Sequence, residues 1–512
     1  MAYTNPLCLS CHLEGIDLSA TQRLFEQRGA AAAAADIEEA HRVTEGHAFW
    51  LDLLAVQVAK RPLETPLDDL LDEIRTGRGP LPDKTLNSIW GTLKAREQLV
   101  LRGMAETVKP ASEGEIGEYL RHELGYGKVI KALKALRALN LVVVKRPPNA
   151  PEVLELHPLV RRFVRQNFRR DEQISFINVI IGVYKRLIGA HRAQLGERPT
   201  LSILQYWTQN VELDVAAGKT ADAFLTLVEA TDAYMSSAYS REYCRTARLL
   251  LDSVNWVADH GKYRAFEGVF GAQVRILSYL GEHAEVDALL DGYDRTFVNK
   301  DARYINYCEM RSFSKWVRGR FSEASEWGRI GDELKKSSGV DTVHDVSHTL
   351  ALALRDGGKP EEALPILLGG RQLSDVIDPE ELDEKRGGAY YGNIGRCLHF
   401  MGQIDTALIC YQKSALLVEK ELAGEYILNQ GYIRLWIAEL LVARGQLRLA
   451  YVFSRASFLK WEHVYPAKGS TATQLADQIG KRLSQRGQFD DVKFERICLD
   501  WILGRSIDAQ LA

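Results

Sequence analysis

The chain has 512 residues, 46% of them hydrophobic and 26% charged, and a formal net charge of −3. This composition is that of an ordinary globular protein with room for roughly two to four domains, and it excludes a strong overall attraction to nucleic acid or anionic membranes. No stretch approaches about 18 consecutive apolar residues, and no basic region leads an apolar run at the N-terminus, so neither a membrane helix nor a secretory signal is predicted. Seven scattered cysteines indicate reduced thiols and a cytoplasmic protein.

A short strand is predicted at residues 7–13, and it contains Cys8, Cys11 and His12 in the spacing of c-type haem attachment. Covalent haem requires export, and zinc would require a second pair of ligands nearby. Since neither an export signal nor a second ligand pair is present, we interpret both cysteines as ordinary buried thiols and predict no metal site.

The residues after this strand are predicted to be helical up to residue 60. Ser19 is the expected N-cap of the first helix, and the alanine run at 30–35 favours helix because alanine has the highest helix propensity. The predicted helices cover residues 20–27, 30–35, 37–46 and 48–60.

Two segments, 13–25 (LEGIDLSATQRLF) and 45–54 (EGHAFWLDLL), resemble the end of the nucleotide-binding module of STAND ATPases of the NB-ARC type. In that family a Gly-x-Pro turn contacts the adenine of bound nucleotide. Here the turn reads Gly46-His47-Ala48-Phe49, with Ala48 in place of the proline. The resemblance implies that residues 1–62 are the C-terminal helical remnant of such a module, and that Gly46 and Ala48 are nucleotide-sensing positions.

After a predicted linker at 63–84, residues 85–170 resemble the winged-helix domain of the same family. Predicted helices at 86–101, 114–122 and 127–139 precede a strand at 141–144, a proline-rich wing at 145–151 and a returning strand at 153–156. His157 follows the second strand, and in the family a histidine here reads the β-phosphate of bound ADP. From the residues alone, a histidine before Pro158 could equally cap the next helix.

No Gly-x-x-x-x-Gly-Lys-Ser/Thr phosphate-binding loop occurs in the chain. Residues 125–128 match only its end and lack a preceding strand. We therefore predict that the chain is not an enzyme and holds no cofactor by itself. ATP or ADP would be bound only with a nucleotide-binding core, supplied by a missing N-terminal domain or by an ATPase-bearing partner.

Basic residues in the predicted winged helix suggest a weaker alternative, DNA binding, because clustered lysines and arginines are typical of nucleic-acid interfaces. The competing interpretation is a solvated helix face, since this domain in STAND proteins commonly contacts the nucleotide module. The residues concerned are Lys128, Lys131, Lys134, Arg137, Arg161, Arg162, Arg165, Arg169 and Arg170.

A recurrent signal runs through residues 171–512: a glycine followed five positions later by a small apolar residue. A repeat of about 40 residues predicts a solenoid in which each unit is a helix, a glycine turn and a second helix. The pairs are Gly218/Ala223, Gly319/Ala324, Gly358/Ala363, Gly402/Ala407 and Gly445/Ala450, with weaker copies at Gly281/Val286 and Gly487/Val492.

The best copy, residues 391–417, resembles a tetratricopeptide repeat (TPR), and so do 314–334, 351–373 and 435–460. The predicted fold is therefore mainly α, with a winged-helix domain followed by a right-handed TPR-type α-solenoid. We expect a protein or peptide ligand on the concave face, contacted by Tyr390, Arg396 and Arg434, because arginine and aromatic side chains dominate binding hot spots. Tyr391 and Trp436 are expected to be buried. His344 and His348 are interpreted as a surface pair on one helix.

These patterns favour one function over two alternatives. The first is the sensor and regulatory half of a STAND-type switch, such as those of bacterial defence against viruses. The second is a transcription regulator that binds DNA through the winged helix and an effector through the repeats, and the third is a plain TPR scaffold.

Overall fold

The computed structural model describes residues 15–60, 66–76, 81–146, 151–196, 199–297, 299–340, 342–378, 382–420, 426–483, 491–507 and 510. The predicted strand at 7–13, with Cys8, Cys11 and His12, lies outside these residues, as does Gly487 of the pair Gly487/Val492. The chain is mainly α, as predicted, and it divides into two compact units, Met1–Lys185 and Arg186–Ala512.

The first unit begins with five helices: α1 (Leu18–Arg28), α2 (Ala34–Thr44), α3 (Ala48–Lys60), α4 (Leu67–Thr76) and α5 (Leu81–Thr92). The cap of α1 differs from the expected Ser19, because the Asp17 carboxylate accepts the Ala20 amide at 2.6 Å. The expected helix at 30–35 is also wrong for its first four residues. Gly29, with a φ of 70°, ends α1 in a left-handed cap, and α2 starts only at Ala34.

The segment interpreted as a linker at 63–84 is folded where it is described. Helix α4 buries Leu67, Leu70, Leu71 and Ile74 in a core shared with Phe25 and Leu51. The four buried residues follow the i, i+3, i+4, i+7 spacing of an amphipathic helix, and that spacing was readable in the sequence. Burial of this apolar stripe decides the structure, so the linker prediction is wrong for these residues.

The rest of the first unit contains α6 (Ala95–Ala105), α7 (Glu113–Tyr119), α8 (Tyr126–Ala138), β1 (Val142–Lys145), β2 (Val153–Leu156), α9 (Pro158–Asn167) and the start of α10 (Arg170–His191). The strands pair antiparallel, with Val142 opposite Leu156. The expected single helix at 86–101 is two helices, since Lys94 is extended with a ψ of 149° and separates α5 from α6. Three helices before a hairpin match the predicted order; residues 147–150 of the wing are not described, and the winged-helix assignment stays a prediction.

The second unit continues from α10 with a succession of paired helices. These are α11 (Leu201–Ala216), α12 (Thr220–Glu229), α13 (Thr231–Met235), α14 (Ser240–Asp252), α15 (Trp256–Asp259), α16 (Phe266–Leu280), α17 (His283–Asp294), α18 (Ala302–Val317), α19 (Phe321–Ser338), α20 (Val346–Asp356), α21 (Pro360–Leu368), α22 (Leu373–Ile377), α23 (Gly387–Phe400), α24 (Ile404–Val418), α25 (Tyr426–Ala443), α26 (Leu447–Trp461), α27 (Pro466–Arg482) and α28 (Asp491–Ile502). Short 3₁₀ helices lie at Arg192–Gly196, His260–Lys262 and Glu384–Arg386.

The predicted glycine turns are confirmed in all six copies that are described. Each glycine has a positive φ, between 74° and 83°, and the small residue five positions later is completely buried. The glycine therefore allows a tight turn, and the small side chain lets the second helix approach the first closely. The handedness of the superhelix stays a prediction.

The repeats of the second unit return to contact one another. Helix α16 packs against α27, and the ring centroids of Tyr279 and Tyr465 lie 4.8 Å apart. The chain between α16 and α27 therefore closes on itself. The first helices of its pairs, namely α16, α18, α20, α23 and α25, line an inner space.

We expect Gly402→Ala to lower the free energy of unfolding by about 1–2 kcal/mol, because an L-residue at a φ of 78° is strained. Gly182→Ala is the matched control, since Gly182 lies inside α10 with no atom within 4 Å of an added Cβ, and alanine there should stabilise by about 0.5–1 kcal/mol. Urea unfolding of both variants measures the difference. Equal effects of the two substitutions would contradict the assigned turn.

Candidate functional site

The turn between α2 and α3 has an unusual backbone. Glu45 and Gly46 are both left-handed, with φ values of 54° and 70°. The Ile16 amide donates to the Gly46 carbonyl at 2.8 Å, and an added Cβ on Gly46 would lie 2.5 Å from the Ile16 carbonyl oxygen. Glycine is therefore required at 46 for its conformation and for this close approach. The turn holds Ala48 exposed in the first turn of α3.

The structure brings this turn into contact with His157, although the two are far apart in sequence. The rings of Phe49 and His157 stack with centroids 3.7 Å apart and an interplanar angle of 12°. Phe49 lies in the first turn of α3, and His157 is the N-cap of α9. The stack thus joins two helix N-termini, where the helix dipole favours an anion.

His157 caps helix α9, as one of the two interpretations of this residue predicted. Its Nδ1 accepts the Leu159 amide at 3.3 Å, so a neutral ring carries its proton on Nε2. Within the described part of the chain, Nε2 has no hydrogen-bond partner. Burial lowers the pKa of His157, and the neighbouring His47 lowers it further. The capping bond leaves the Nε2 proton available to an acceptor, so capping does not exclude the other interpretation.

Hydrogen bonds also join α3 to two other parts of the first unit. The Asp52 carboxylate of α3 accepts from Arg28 Nε and from Asn140 Nδ2, both at 2.6 Å. Asn140 follows α8 in a left-handed conformation with a φ of 55°. The connection fixes α3 against the three-helix and hairpin segment, and so positions Phe49 against His157.

The basic residues of the first unit fall into two groups. The Arg161 guanidinium donates to the Ala105 carbonyl at 3.0 Å, and Arg165 pairs with Glu106 at 3.3 Å, so arginines of α9 hold α6 in place. Arg137 is likewise paired, with Glu113 and Glu152. Lys128, Lys131 and Lys134 are exposed along α8, and none forms an ion pair with another described residue.

Two cavities lie inside the second unit and share the side chains of Trp316, Tyr432 and Trp436. The small inner cavity, about 150 Å³, is lined by residues of α16, α18, α20, α23 and α25. The large inner cavity, about 420 Å³, lies toward the start of α27. Polar and charged side chains occur in both walls, among them Arg275, Asp345, His348, Arg355, Asn393, Asp356, Arg396, Glu439 and Lys468.

The three residues predicted to contact a partner lie in different places. Arg396 lines the large inner cavity, pairs with Glu439 and lies 4.3 Å from the Phe400 ring centroid. Tyr390 is half-buried under the guanidinium of Arg386. Arg434 is 1% exposed and forms ion pairs with Glu419 and Glu495, so the expectation that it contacts a ligand is wrong. Tyr391 and Trp436 are buried, as expected.

The interpretation of His344 and His348 as a surface pair on one helix is also wrong. Helix α20 begins at Val346 with Asp345 as its cap, so His344 precedes the helix. His348 lines the small inner cavity, and burial lowers the pKa of both histidines, that of His344 to about 3. Among the described residues no group of three or more His, Cys, Asp and Glu side chains could hold a metal ion.

Several residues of these sites were not predicted from the sequence. Phe49 belongs to the turn that begins at Gly46, but only the tertiary structure shows that its ring contacts His157. The sequence contained a weak indication that Lys468 is unusual, because a lysine in the first turn of a helix interacts unfavourably with the helix dipole. Trp316 and Tyr432 could not be distinguished from ordinary core residues, since burial of aromatic side chains is common in repeats.

Comparisons with known proteins found limited similarity. No protein-family model matches the chain, and no curated protein matches it. Among solved structures, it is similar to a Signal Transduction ATPase with Numerous Domains (STAND) protein with a tetratricopeptide repeat sensor from Pyrococcus horikoshii, with a TM-score of 0.46 and 13% sequence identity. The similarity covers 98% of this chain and 72% of that chain. Among the described helices, none is long and apolar enough to cross a membrane.

We expect His157→Ala to lower the free energy of unfolding of the first unit by about 1 kcal/mol through loss of the cap, and His157→Asn to lower it much less, because asparagine also caps well. The His157 contribution should be present above its unfolded pKa, near 6.5, and be lost as pH falls through the lower folded pKa. Protonation of Nδ1 removes the acceptor for the Leu159 amide.

Urea unfolding between pH 8 and 5 provides the measurement. The stability advantage of wild type over His157→Ala should shrink on acidification, whereas that of His157→Asn over His157→Ala should not. A constant difference between wild type and His157→Ala at every pH would contradict the assigned hydrogen bond.

Proposed function

We propose that this chain is the sensor and regulatory portion of a STAND-type switch that acts in the cytoplasm. The observation that carries the proposal is the stack of Phe49 on His157. The resemblance assigns the turn at Gly46 and Ala48 to the adenine side of a nucleotide, and His157 to its phosphate side. Two motifs from distant parts of the sequence that would serve one ligand are therefore in contact.

The chemistry of this contact suits a phosphate group. The N-termini of α3 and α9 meet there, and the free Nε2–H of His157 can donate to a phosphate oxygen. The nucleotide would be held by an ATPase core on a partner or another domain, because this chain has no phosphate-binding loop. By itself the chain would not hydrolyse ATP. Bound ADP would hold the resting state through His157.

The repeats of the second unit would supply the sensor. Their inner cavities combine aromatic walls with charged side chains, which is the composition of ligand sites. Binding there would favour a state in which the contact to nucleotide is released, since a ligand shifts a switch by its differential affinity for the two states. The output would be signalling of the kind used in bacterial defence.

The test is association of the chain with a phosphate-binding-loop ATPase. The immobilised chain should retain an ATPase with a Gly-x-x-x-x-Gly-Lys-Ser/Thr motif from its source cells in the presence of Mg-ADP. With the purified pair, His157→Ala should weaken ADP-dependent association about tenfold or more and raise basal output, because a charge-assisted hydrogen bond contributes about 1.5–3 kcal/mol. His122→Ala is the matched control, since His122 is an exposed histidine of the same unit.

Two outcomes would count against the proposal in different ways. If no such ATPase associates with the wild-type chain, the proposed function is wrong. If one associates but ADP acts equally on wild type and His157→Ala, His157 is only a helix cap.

One observation favours a second function, DNA binding. Lys128, Lys131 and Lys134 are exposed and unpaired within the described structure, and they lie on the last helix before the hairpin. Unpaired lysines on one face can neutralise DNA phosphates without breaking internal ion pairs.

If DNA is bound, replacing the three lysines by glutamine should lower the slope of log affinity against log salt by up to about 3. The matched control replaces Lys145, Arg146 and Arg169 by glutamine. Each of these residues has a carboxylate partner, so their replacement should change the slope less. Filter retention at several salt concentrations provides the measurement. Identical slopes for wild type and the lysine variant would exclude DNA binding through α8.

A further inference from the structure

The large inner cavity is bounded by the end of α18, by α23 and α25, and by the start of α27. Its volume of about 420 Å³ lies in the range of small-molecule sites, roughly 300–1,000 Å³. An α-helix is about 10–12 Å wide with its side chains and would need a far larger space. The size therefore fits a small organic molecule and is too small for a helical segment of a protein or peptide ligand.

One side of this cavity is aromatic. The Tyr432 ring lies 5.3 Å from Trp436 and 6.2 Å from Trp316, with interplanar angles of 37° and 33°. Tyr465 adds a fourth ring, 6.3 Å from Tyr432. Several adjacent rings offer a flat ligand both stacked and edge contacts.

The charges in the wall are mostly neutralised in pairs. Arg396 pairs with Glu439 of α25, and Arg318 pairs with Asp287 at 2.8 Å. The Asp356 carboxylate accepts two hydrogen bonds from the neighbouring Arg355, both at 2.7 Å, and one from Trp316 Nε1 at 2.8 Å. These groups hold the wall together and are not available to balance a ligand.

Lys468 is the exception in this wall. Its Nζ makes no ion pair or hydrogen bond with any other described residue, and it lies 6.0 Å from the centroid of the Tyr432 ring. Lys468 is half-buried, and burial lowers its pKa. The carboxylates of Asp356 and Glu439 act in the opposite direction and raise the pKa of Lys468 without pairing with it. Lys468 also occupies the first turn of α27, where the helix dipole disfavours a cation and favours an anion.

We propose that the large inner cavity binds a small organic anion with a flat apolar body and one carboxylate, which Lys468 holds while Trp316, Tyr432 and Trp436 contact the flat part. One unpaired cation matches one negative charge. A ligand with more charge would have to separate the pairs of Arg396 and Asp356, at the cost of leaving buried charges uncompensated.

This inference names the ligand class of the proposed sensor and so deepens the proposed function. The binding test uses the full chain without an ATPase partner. Failure of binding would leave the association with an ATPase standing, and failure of that association would leave the binding standing.

The probes are 2-naphthoate and its neutral analogue 2-naphthamide, which share the ring system and differ in charge. Calorimetric titration into the full chain should show one saturable site for 2-naphthoate, with at least about tenfold weaker binding of 2-naphthamide. Lys468→Met should reduce the affinity for 2-naphthoate to that for 2-naphthamide, and Lys468→Arg should retain the preference for the anion. Lys481→Met is the matched control, because Lys481 is exposed near the other end of α27.

Thermal unfolding of each variant checks that it folds. The proposal is overturned if 2-naphthoate binds no better than 2-naphthamide, or if Lys468→Met keeps the preference for the anion. Absence of binding of both probes up to about 5 mM also overturns it, since that concentration already corresponds to a very weak site.

Discussion

A helix pair in the second unit can bury its apolar face only when a neighbouring pair packs against it, and most of the structure follows from this constraint. The pairs approach closely because the residue after each glycine turn is small and fully buried, as Ala324 and Ala407 show. Such packing leaves charged side chains on inner positions with little water. Arg355 and Arg434 are both 1% exposed, and each has carboxylate partners. Breaking such a buried pair is costly, so these arginines stabilise the unit and are not available to a ligand.

In the cavities, too, a charged side chain is free to bind a ligand only if it has no partner of opposite charge in the protein. Arg396 is accessible in the large inner cavity, yet its charge is balanced by Glu439 and its guanidinium lies over Phe400. Lys468 has no such partner within the described structure. A residue type that suggests binding is therefore not sufficient, and the state of its charge in the folded protein decides its role.

In the first unit, the conformation of the backbone before α3 determines which side chains meet at the candidate site. The two left-handed residues before α3 place Phe49 beside His157, and the bonds from Asp52 to Arg28 and Asn140 hold the elements in position. His157 caps α9 through Nδ1 and keeps Nε2 free. A structural hydrogen bond and an available donor on one ring are compatible, because the two nitrogens of imidazole act independently.

The sequence by itself determined the features that depend on local chemistry. The glycine turns follow from the need for a positive φ, the small residues from close helix contact, and the hairpin from its β-branched strands. It also pointed to Gly46 and His157, through the resemblance of the segments around them to motifs of STAND ATPases. The prediction of a linker at 63–84 was wrong, because burial of Leu70 and Ile74 against other helices stabilises a helix there. Only the tertiary structure decided that Phe49 stacks on His157, that Arg434 is buried and that Lys468 has no partner, because these depend on which distant helices meet, and helix periodicity carries no information about that.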